Sequence, residues 1–323
     1  MKFLLTGASG FIGGAVLKAM RTLDDVCVYP VFRSTSSASN LSVTATVSPL
    51  FVPELASDTE WGSLLADIDV VIHAAARAHF LDERAYDSLI EYREVNVGGT
   101  LSLARQAAAA GVKRFVFIST IGVNGGQTIQ PFMPEDVPKP ATAYARSKYE
   151  AEIGLQKISA MTNMEVVIIR PPLVYGRGAP GNFGRLMELV ERRWPLLPFG
   201  SIKNKRSLVS LDNLVDFIFT CSVHPFAADH VFLVSDDCDV STTQLLTTMN
   251  KFAGGGHLLP VPLWVLRFLA SILGKQDIID KISCNLQVDI QLAKQVLGWK
   301  PKLSFEEGIR RCFNADDDSG GDG

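Results

Sequence analysis

The stretch KFLLTGASGFIGG, residues 2–14, decides the fold class of this chain. Its apolar start predicts a buried β-strand, and FIGGAVLKAMRTL (11–23) predicts a helix directly after it. Between them stand Gly7, Gly10 and Gly13. Glycines at this spacing permit a tight turn and a close approach of the backbone to a pyrophosphate, whose charge meets the helix N-terminus. The stretch therefore predicts a dinucleotide-binding turn.

The alternation of strand and helix continues through the first half of the chain. Further buried strands are predicted at 26–32, 69–76, 114–119 and 165–171, and helices at 96–110 and 144–161. Nearly continuous apolar strands separated by helices indicate a parallel sheet covered on both faces, an α/β doubly wound (Rossmann) fold. Pro30 lies inside the second strand and removes a ladder donor, so we expect a bulge or an early strand end there.

The regular alternation fades after residue 171. Prolines and glycines crowd 171–200, a helix is predicted at 206–221, a strand at 230–235, and the last third is mostly helical. We expect three parts: a dinucleotide-binding domain of 1–171 and about 206–240, a smaller, mostly helical nucleotide-sugar-binding domain of 172–205 and about 241–313, and a disordered acidic tail at 314–323.

Composition limits the classes of partner. The 323 residues are 47% hydrophobic and 20% charged, with a formal net charge of −3. That balance offers no basic face for nucleic acid or for an anionic membrane, and neither kind of partner is expected. The five cysteines have no CxxC spacing, which favours reduced thiols in the cytoplasm, and the five histidines show no metal-ligand spacing, so no metal is expected.

The longest apolar region is LLPVPLWVLRFLASIL, residues 258–273. Pro260, Pro262 and Arg267 interrupt it, and it is too short to span a membrane. We expect a surface helix of the second domain whose apolar residues, 263–273, pack into the core.

The motif YARSK, residues 144–148, places a tyrosine four positions before a lysine. Residues four apart on a helix lie one above the other, so the Lys148 ammonium is expected beside the Tyr144 phenol. A nearby positive charge lowers the pKa of a tyrosine. The pair therefore predicts a general acid and base that acts near neutral pH.

Arg33, in VFRSTS at the end of the second predicted strand, bears on the cofactor. NAD-binding proteins commonly have an acid about 20 residues past the glycine turn, where it binds the ribose hydroxyls. A guanidinium suits a ribose 2′-phosphate instead. NADP(H) is therefore favoured, and NAD(H) stays open as the alternative.

Several motifs occur in the order typical of one family. TGASGFIGG is followed by HAAA (73–76), EVNVGGT (94–100), FISTIGVNG (117–125) and YARSK. Together they resemble the extended short-chain dehydrogenases/reductases, specifically the nucleotide-sugar 4-epimerases and 4-ketoreductases. The likeness continues through RPPLVYGRG (170–178), GNF (181–183), RSLVSLDNLVD (206–216) and LQVDIQLAKQVLGW (286–299). It is greatest to bacterial enzymes that make UDP-N-acetylated 6-deoxyhexoses for surface polysaccharide such as O-antigen, especially the 4-keto reductase for UDP-N-acetylquinovosamine.

This resemblance implies roles for individual residues. Tyr144 matches the family's proton donor and acceptor, Lys148 matches its partner, and Thr120 matches the hydroxyl that binds the reacting sugar oxygen, with Ser119 as the alternative. The implied cofactor contacts are Gly7, Gly10, Phe11, Ile12, Gly13, Arg33, Glu54, Leu55, Ala74, Ala75, Ala76, Asn96, Ser119, Tyr144, Lys148 and Pro171. The implied substrate contacts are Thr120, Asn182 and Arg206; Arg206 is suited to bidentate binding of the diphosphate.

The sequence departs from the family pattern next to Thr120. The family's dehydratases carry an Asp-Glu pair there, which expels the 6-hydroxyl of the sugar, whereas this chain has Ile121 and Gly122. Asn124 replaces the tyrosine found in many epimerases. The resemblance therefore excludes dehydratase chemistry and loosens the match to the epimerases.

Three functions follow from these motifs. The leading hypothesis is an NADPH-dependent reductase of the C4 ketone of a UDP-linked 4-keto-6-deoxy-N-acetylhexosamine. The alternative is a UDP-glucose or UDP-N-acetylglucosamine 4-epimerase, against which Arg33 weighs, and a distant one is a dinucleotide-sensing regulator without chemistry. The family also implies a homodimer formed through the helices at 96–110 and 144–161.

Overall fold

The computed structural model of the chain describes residues 1–35, 46–52, 54–78, 86–192 and 196–314. Apart from Asn314, the tail predicted to be disordered lies outside these residues.

The described residues form strands and helices in alternation through the first half of the chain. The strands are β1 Lys2–Thr6, β2 Cys27–Phe32, β3 Leu50–Phe51, β4 Val70–His73, β5 Arg114–Ile118, β6 Glu165–Arg170, β7 Leu173–Tyr175, β8 Leu196–Leu197, β9 Arg206–Ser210, β10 Val231–Leu233, β11 Asp239–Val240 and β12 His257–Leu258. The helices are α1 Phe11–Met20, α2 Tyr86–Arg93, α3 Thr100–Ala109, α4 Ala143–Met161, α5 Gly181–Glu191, α6 Leu211–Val223, α7 Thr242–Ala253, α8 Leu263–Ile272, α9 Gln276–Ser283, α10 Gln291–Leu297 and α11 Phe305–Phe313. A π-helical turn, Glu94–Gly99, joins α2 to α3.

Seven strands form one parallel sheet in the order β10-β6-β5-β4-β1-β2-β3. The strand order reverses between β1 and β4, which makes a topological switch point. In folds of this type, ligands bind in the crevice beyond the carboxyl ends of the strands at that point. The predicted α/β doubly wound fold is confirmed.

Successive residues of each strand point to opposite faces of the sheet, and both faces are covered. Phe3 and Leu5 of β1 pack in one buried cluster with residues of α1 and α6. Leu4 packs on the opposite face with residues of α3 and α4. This double burial explains why the strands read as continuous apolar runs. The dimer expected through α3 and α4 stays a prediction.

The expectation of a bulge or an early strand end at Pro30 is wrong. Pro30 pairs in register with Leu5 inside an unbroken β2. The backbone N–H of Val28, two residues earlier, bonds outward to Thr46, so position 30 directs its nitrogen to the same outer side. Only the short strand β3 follows on that side, and the missing donor interrupts no central ladder.

The helix predicted at 206–221 begins with a strand instead. Residues Arg206–Ser210 form β9, which pairs with β7 and β11, and α6 starts only at Leu211. Ser210 caps α6, since its hydroxyl accepts a hydrogen bond from the backbone N–H of Asn213 at 3.2 Å. Ser210, a residue type that is common at the N-cap, therefore marks the boundary between β9 and α6, which the apolar pattern did not show.

Elements after residue 171 build a separate buried cluster around Tyr175, Phe183, Leu246 and Ile309. The division of the chain into two domains stays a prediction. The expectation that residues 263–273 pack into the core is wrong for most of α8. Leu266 and Ala270 are buried, whereas Trp264 and Phe268 are 73% and 61% exposed.

The glycine turn provides a test of the fold. A Cβ added at Gly13 would overlap the carbonyl oxygen of Gly7, whereas one at Gly14 would lie 3.4 Å from the carbonyl oxygen of Ala8. Gly13→Ala is therefore expected to lower the free energy of unfolding by at least about 2 kcal/mol in a denaturant titration. The matched control Gly14→Ala should be neutral or stabilise by up to about 1 kcal/mol. Equal effects of the two substitutions would contradict the assigned packing of α1 on the turn.

Candidate active site

The glycine turn lies at the switch point, between the end of β1 and the start of α1. Gly7 has a φ of +74°, and a Cβ there would come within 2.6 Å of the backbone nitrogen of Ala75. Gly10 starts α1 without a side-chain cap, which leaves the first N–H groups of the helix for an anionic ligand. Phe11 and Ile12 form the first turn of that helix. The geometry fits a pyrophosphate.

The segment Ala74–Ala76 follows β4 beside the glycine turn, and a buried polar chain fixes it. The hydroxyl of Thr6 accepts the backbone N–H of Ala75 at 3.3 Å and lies 2.7 Å from Nδ1 of His73. Nε2 of His73 lies 2.9 Å from the Thr100 hydroxyl. Burial, with the Lys148 charge as a second cause, lowers the pKa of His73 to about 3. His73 is therefore a neutral structural link between β1, β4 and α3.

Three predicted cofactor contacts follow β2 and β3, at the edge of the sheet that β3 forms. Arg33 follows β2 directly and is exposed, and Glu54 is exposed after β3. Leu55 is half-buried and packs tightly on the π-helical turn, since a Cβ added at Gly99 would lie 2.8 Å from its Cγ.

Asn96 is buried in the π-helical turn and connects two parts of the site. Its Oδ1 accepts the backbone N–H of Arg77 at 2.9 Å, and its Nδ2 donates to the Arg77 carbonyl and to the Ser147 hydroxyl, each at 3.0 Å. Ser147 precedes Lys148 on α4. Asn96 therefore ties the segment after β4 to the helix that carries the predicted catalytic pair. Turns of the π type frequently occur at functional sites.

Tyr144 and Lys148 lie in the first turns of α4, which Thr142 caps. The Tyr144 ring is half-buried, with its centroid 5.9 Å from that of Tyr92. The Lys148 side chain is buried, and its Nζ lies 4.0 Å from the centroid of the Phe117 ring on β5. This is a cation–π contact.

The expectation of a lowered pKa for Tyr144 is wrong for this structure, because burial outweighs any effect of the Lys148 charge. Burial, with a smaller contribution from Tyr92, raises the pKa of Tyr144 to about 12. Burial also lowers the pKa of Lys148 to about 7, against an opposing effect of the Glu152 carboxylate. Near neutral pH, Tyr144 is therefore a phenol, and Lys148 changes its charge.

Thr120 is the half-buried hydroxyl residue that follows β5. Its Oγ1 accepts the backbone N–H of Gly122 at 3.2 Å and caps a short helical turn. The hydroxyl of the neighbouring Ser119 donates to the buried Glu152 carboxylate instead. The carbonyl of Pro171 accepts the backbone N–H of Ile121 at 2.9 Å, which joins the ends of β5 and β6. Thr120 is thus the better placed of the two predicted hydroxyls.

Sequence reasoning missed the buried polar network behind these residues. Arg170 donates Nη2 to Glu152 at 2.6 Å and Nη1 to Oδ1 of Asn124 at 2.9 Å. All three side chains are at least 95% buried. The spacing offered a signal, because Glu152 follows Lys148 by four positions on the same helix and therefore lies on the same face. Asn124, read as a departure from the epimerase pattern, is a partner of Arg170.

The two predicted substrate contacts outside the sheet lie on separate elements. Asn182 is exposed in the first turn of α5. Arg206 is half-buried at the start of β9, where its Nη1 donates to the carbonyl of Lys281 at 2.7 Å. That bond uses one of five N–H donors of the guanidinium.

The parallel sheet and the glycine turn at its switch point are typical of the α/β proteins that bind dinucleotides. Residues 3–234 match the model of the NAD dependent epimerase/dehydratase family. The chain belongs to this family.

Three known proteins show how far the likeness extends. A UDP-glucose 4-epimerase of Vibrio cholerae is 44% identical over 97% of this chain and 94% of its own length. An N-acetyl-α-D-glucosaminyl-diphospho-ditrans,octacis-undecaprenol 4-epimerase of Escherichia coli O157:H7 is 28% identical over 86% of this chain and 83% of its own. The crystal structure of a UDP-glucuronic acid 4-epimerase from Bacillus cereus, in complex with UDP-glucuronic acid and NAD, has a TM-score of 0.77 and 20% identity, covering 97% and 98% of the two chains.

Two negative findings concern only the residues that the structure describes. No group of three or more histidine, cysteine or acidic side chains is arranged to hold a metal ion among them. None of their helices combines the length and the apolarity needed to cross a membrane.

Burial of Lys148 is expected to destabilise the fold in a way that depends on pH. Its pKa is about 7 in the fold and 10.5 as the ordinary value, so the unfolded chain binds more protons between these pH values. The destabilisation is therefore full below about pH 7 and disappears towards pH 10.5. Lys148→Met should raise the free energy of unfolding below pH 7, by at most about 1.4 kcal/mol per unit of pKa difference.

The measurement is denaturant unfolding of wild type and variant across this pH range. Lys157→Met, an exposed position on the same helix, is the matched control and should change neither the stability nor its pH dependence. A gain that does not shrink with rising pH would show that the lysine charge is not its cause.

Proposed function

We propose that this protein is an NAD-dependent 4-epimerase that acts on a UDP-linked hexose or N-acetylhexosamine. The observation that carries the proposal is the 44% identity, over nearly the whole of both chains, to the UDP-glucose 4-epimerase of Vibrio cholerae. The catalytic residues are Thr120, Tyr144 and Lys148. This was the alternative in the sequence analysis, and the comparisons support it better than the 4-ketoreductase.

Epimerisation at C4 needs one group that both removes and returns a proton. Tyr144 removes the proton of the C4 hydroxyl and returns it after the 4-keto sugar has turned over. Thr120 donates a hydrogen bond to the same oxygen and holds it in place. The glycine turn of Gly7, Gly10 and Gly13 would hold the NAD, which would supply reversible hydride transfer at C4.

The electrostatics of the site assign a role to Lys148. Because burial keeps the Tyr144 proton in place, with a pKa near 12, the phenol needs a positive charge beside it before it can act as a base. Lys148, one helical turn away, is the cation that this chain supplies, and the Glu152 carboxylate favours its charged form. Asn96 positions this helix through Ser147.

The position after Ile121 argues against dehydratase chemistry. A Cβ added at Gly122 would lie 3.2 Å from Cβ of Ala145 and 3.4 Å from Oγ1 of Thr120. These contacts are close to ordinary packing distances, so the distinction is chemical: neither Ile121 nor Gly122 carries a carboxyl group that could protonate a leaving 6-hydroxyl.

NAD is the proposed cofactor, because the neighbouring crystal structure of the Bacillus cereus epimerase contains it. The turn at Gly7 and the uncapped start of α1 suit the pyrophosphate of either dinucleotide. The preference for NADP(H), which rested on Arg33, therefore gives way to NAD(H) in this proposal. The proposed location is the cytoplasm, in which free cysteines are the rule.

The group to which the sugar is attached, here called the carrier, differs among the relatives. The relative from Escherichia coli is named for a sugar carried on a polyprenyl diphosphate. Both carriers present a hexose on a diphosphate, and they differ only beyond the second phosphate. The proposed chemistry at C4 is the same for both.

The central test is epimerase activity without added reductant. Wild-type protein with NAD should interconvert UDP-glucose and UDP-galactose, or the N-acetylated pair, as followed by NMR. Tyr144→Phe should lower kcat by at least about 100-fold while the substrate still binds, because only the proton transfer is lost. Tyr149→Phe, the same change on the next turn of α4, is the control and should retain activity.

Other outcomes decide against the proposal. Stoichiometric oxidation of NADPH by a UDP-4-keto-6-deoxy-N-acetylhexosamine, with no epimerisation, would assign the protein as the 4-ketoreductase instead. Full kcat in Tyr144→Phe would remove the assigned acid and base.

Arg33 has its own test. If the proposed cofactor is NAD, Arg33→Ala should leave the Kd for NAD unchanged within about twofold, since NAD has no 2′-phosphate for the guanidinium to bind. Any affinity for NADP should fall by at least about tenfold, which is the loss of one charge-assisted contact. Isothermal titration with both dinucleotides measures this. Tighter binding of NADP than of NAD to wild type would restore the original preference.

A further inference from the structure

Helix α8 presents an apolar surface to solvent. Trp264, Phe268, Leu269, Ile272 and Leu273, here called the α8 apolar face, are each between 50% and 73% exposed. Trp264, Phe268 and Ile272 recur every four residues and form one continuous stripe along the helix. Scattered exposed apolar residues are ordinary, but a contiguous patch of large ones marks an interaction surface.

The core does not explain this face, because α8 already uses its other side for packing. Leu266 and Ala270 are buried and pack with Ile202 and Ile279, the latter on α9. Arg267 lies between the two sides and pairs with Asp280 of α9 at 3.1 Å. The helix is thus apolar on both sides, and only one of them faces the protein.

Cations outnumber carboxylates in the segments that form α8 and α9 and in the segment that packs on them through Ile202. The segments 202–206 and 263–284 contain six cations and two carboxylates, in a chain whose net charge is −3. The cations are Lys203, Lys205, Arg206, Arg267, Lys275 and Lys281, and the carboxylates are Asp277 and Asp280. Lys203, Lys205, Lys275 and Lys281 are exposed. This local excess of positive charge, here called the basic rim, suits an anionic surface, which the net charge of the whole chain did not predict.

The same helices are fastened to the predicted diphosphate site. Arg206, the predicted diphosphate contact, donates to the carbonyl of Lys281 at the end of α9, and Asn204 donates to the carbonyl of Ile282 at 3.1 Å. The carbonyl of Asn285 accepts the backbone N–H of Thr128, on the loop that follows Thr120. A group attached to the far phosphate of a diphosphate at Arg206 would therefore leave the site beside α9 and α8.

We propose that the α8 apolar face docks on an anionic lipid bilayer and brings the site to sugar diphosphates whose second phosphate carries a lipid chain. Tryptophan, phenylalanine and leucine on one side of a helix, with cations around them, are typical of helices that lie in the membrane interface. The substrate half of this proposal rests on the proposed 4-epimerase function, and the docking half does not.

Charge distinguishes a bilayer from a second copy of the chain. A symmetric dimer formed through α8 would bring the basic rims of both copies together, where like charges repel. Anionic headgroups complement the same rim, and the acyl chains accept the apolar stripe.

Flotation of the full-length protein with vesicles tests the docking. Wild type should float with vesicles of phosphatidylcholine and phosphatidylglycerol, and less with pure phosphatidylcholine. In Trp264→Ser/Phe268→Ser, the partition coefficient should fall at least about tenfold. Phe226→Ser is the matched control, because Phe226 is 68% exposed elsewhere on the surface. Both variants should keep the wild-type turnover of a UDP-sugar, which shows that they fold.

Docking is overturned if the wild-type protein does not float with the vesicles even at low salt. It is also overturned if Phe226→Ser lowers partitioning as much as the double substitution does. It is equally overturned if the double variant converts a dimer into a monomer by light scattering and wild type binds no vesicles. Vesicle binding without turnover of any UDP-sugar would leave docking supported and the epimerase proposal refuted.

A separate assay tests the substrate half of the proposal. It measures epimerisation of polyprenyl-diphosphate N-acetylglucosamine embedded in the vesicles. Wild type should epimerise it, and the double substitution should lower that turnover at least about tenfold without affecting the UDP-sugar. Epimerisation of the UDP-sugar alone, with none of the embedded substrate, would overturn this half.

Discussion

The buried ion pair between Glu152 and Arg170 connects the parts of the molecule that must act together. Glu152 lies on α4 with Tyr144 and Lys148, and Arg170 ends β6. Around the pair, the hydroxyl of Ser119 and the side chain of Asn124 take up further hydrogen-bonding positions. Removal of one partner of such a buried pair leaves an uncompensated charge and typically costs about 3 to 5 kcal/mol. The pair thus fixes α4, with the predicted catalytic residues Tyr144 and Lys148, against the ends of β5 and β6.

That pair also sets the field in which Lys148 titrates. Burial against Phe117 favours the neutral amine, and the Glu152 carboxylate, one turn further along α4, favours the ammonium. The result is a lysine whose pKa of about 7 allows both forms near neutrality. A lysine on the surface would not destabilise the fold in this way, and it would stay charged near neutral pH. The fold therefore holds a destabilising group in place, and the proposed proton transfer would give that group a use.

Local patterns in the sequence were enough to predict the parallel sheet, the glycine turn and the helix that carries Tyr144 and Lys148. They failed where tertiary contacts decide. The apolar period did not separate β9 from α6, because a strand that runs straight into a helix keeps its apolar character across Ser210. Helical spacing placed Lys148 beside Tyr144 but gave no account of burial, and burial raises the pKa of that phenol. Residues 263–273 read as core because hydrophobicity shows what avoids water and not what covers it.

In the proposed function, the site divides into a part that does chemistry and a part that holds the carrier. Proton transfer at C4 would depend on Thr120, Tyr144 and Lys148, which lie at the end of β5 and on α4. The diphosphate contact predicted at Arg206 rests on the carbonyl of Lys281, and so on α9. If the proposed contacts hold, changes in α8 and α9 would alter the surroundings of the second phosphate and leave Thr120, Tyr144 and Lys148 undisturbed. This separation would let one catalytic arrangement serve sugars on different carriers, with the determinant of the carrier in the α8 and α9 segment.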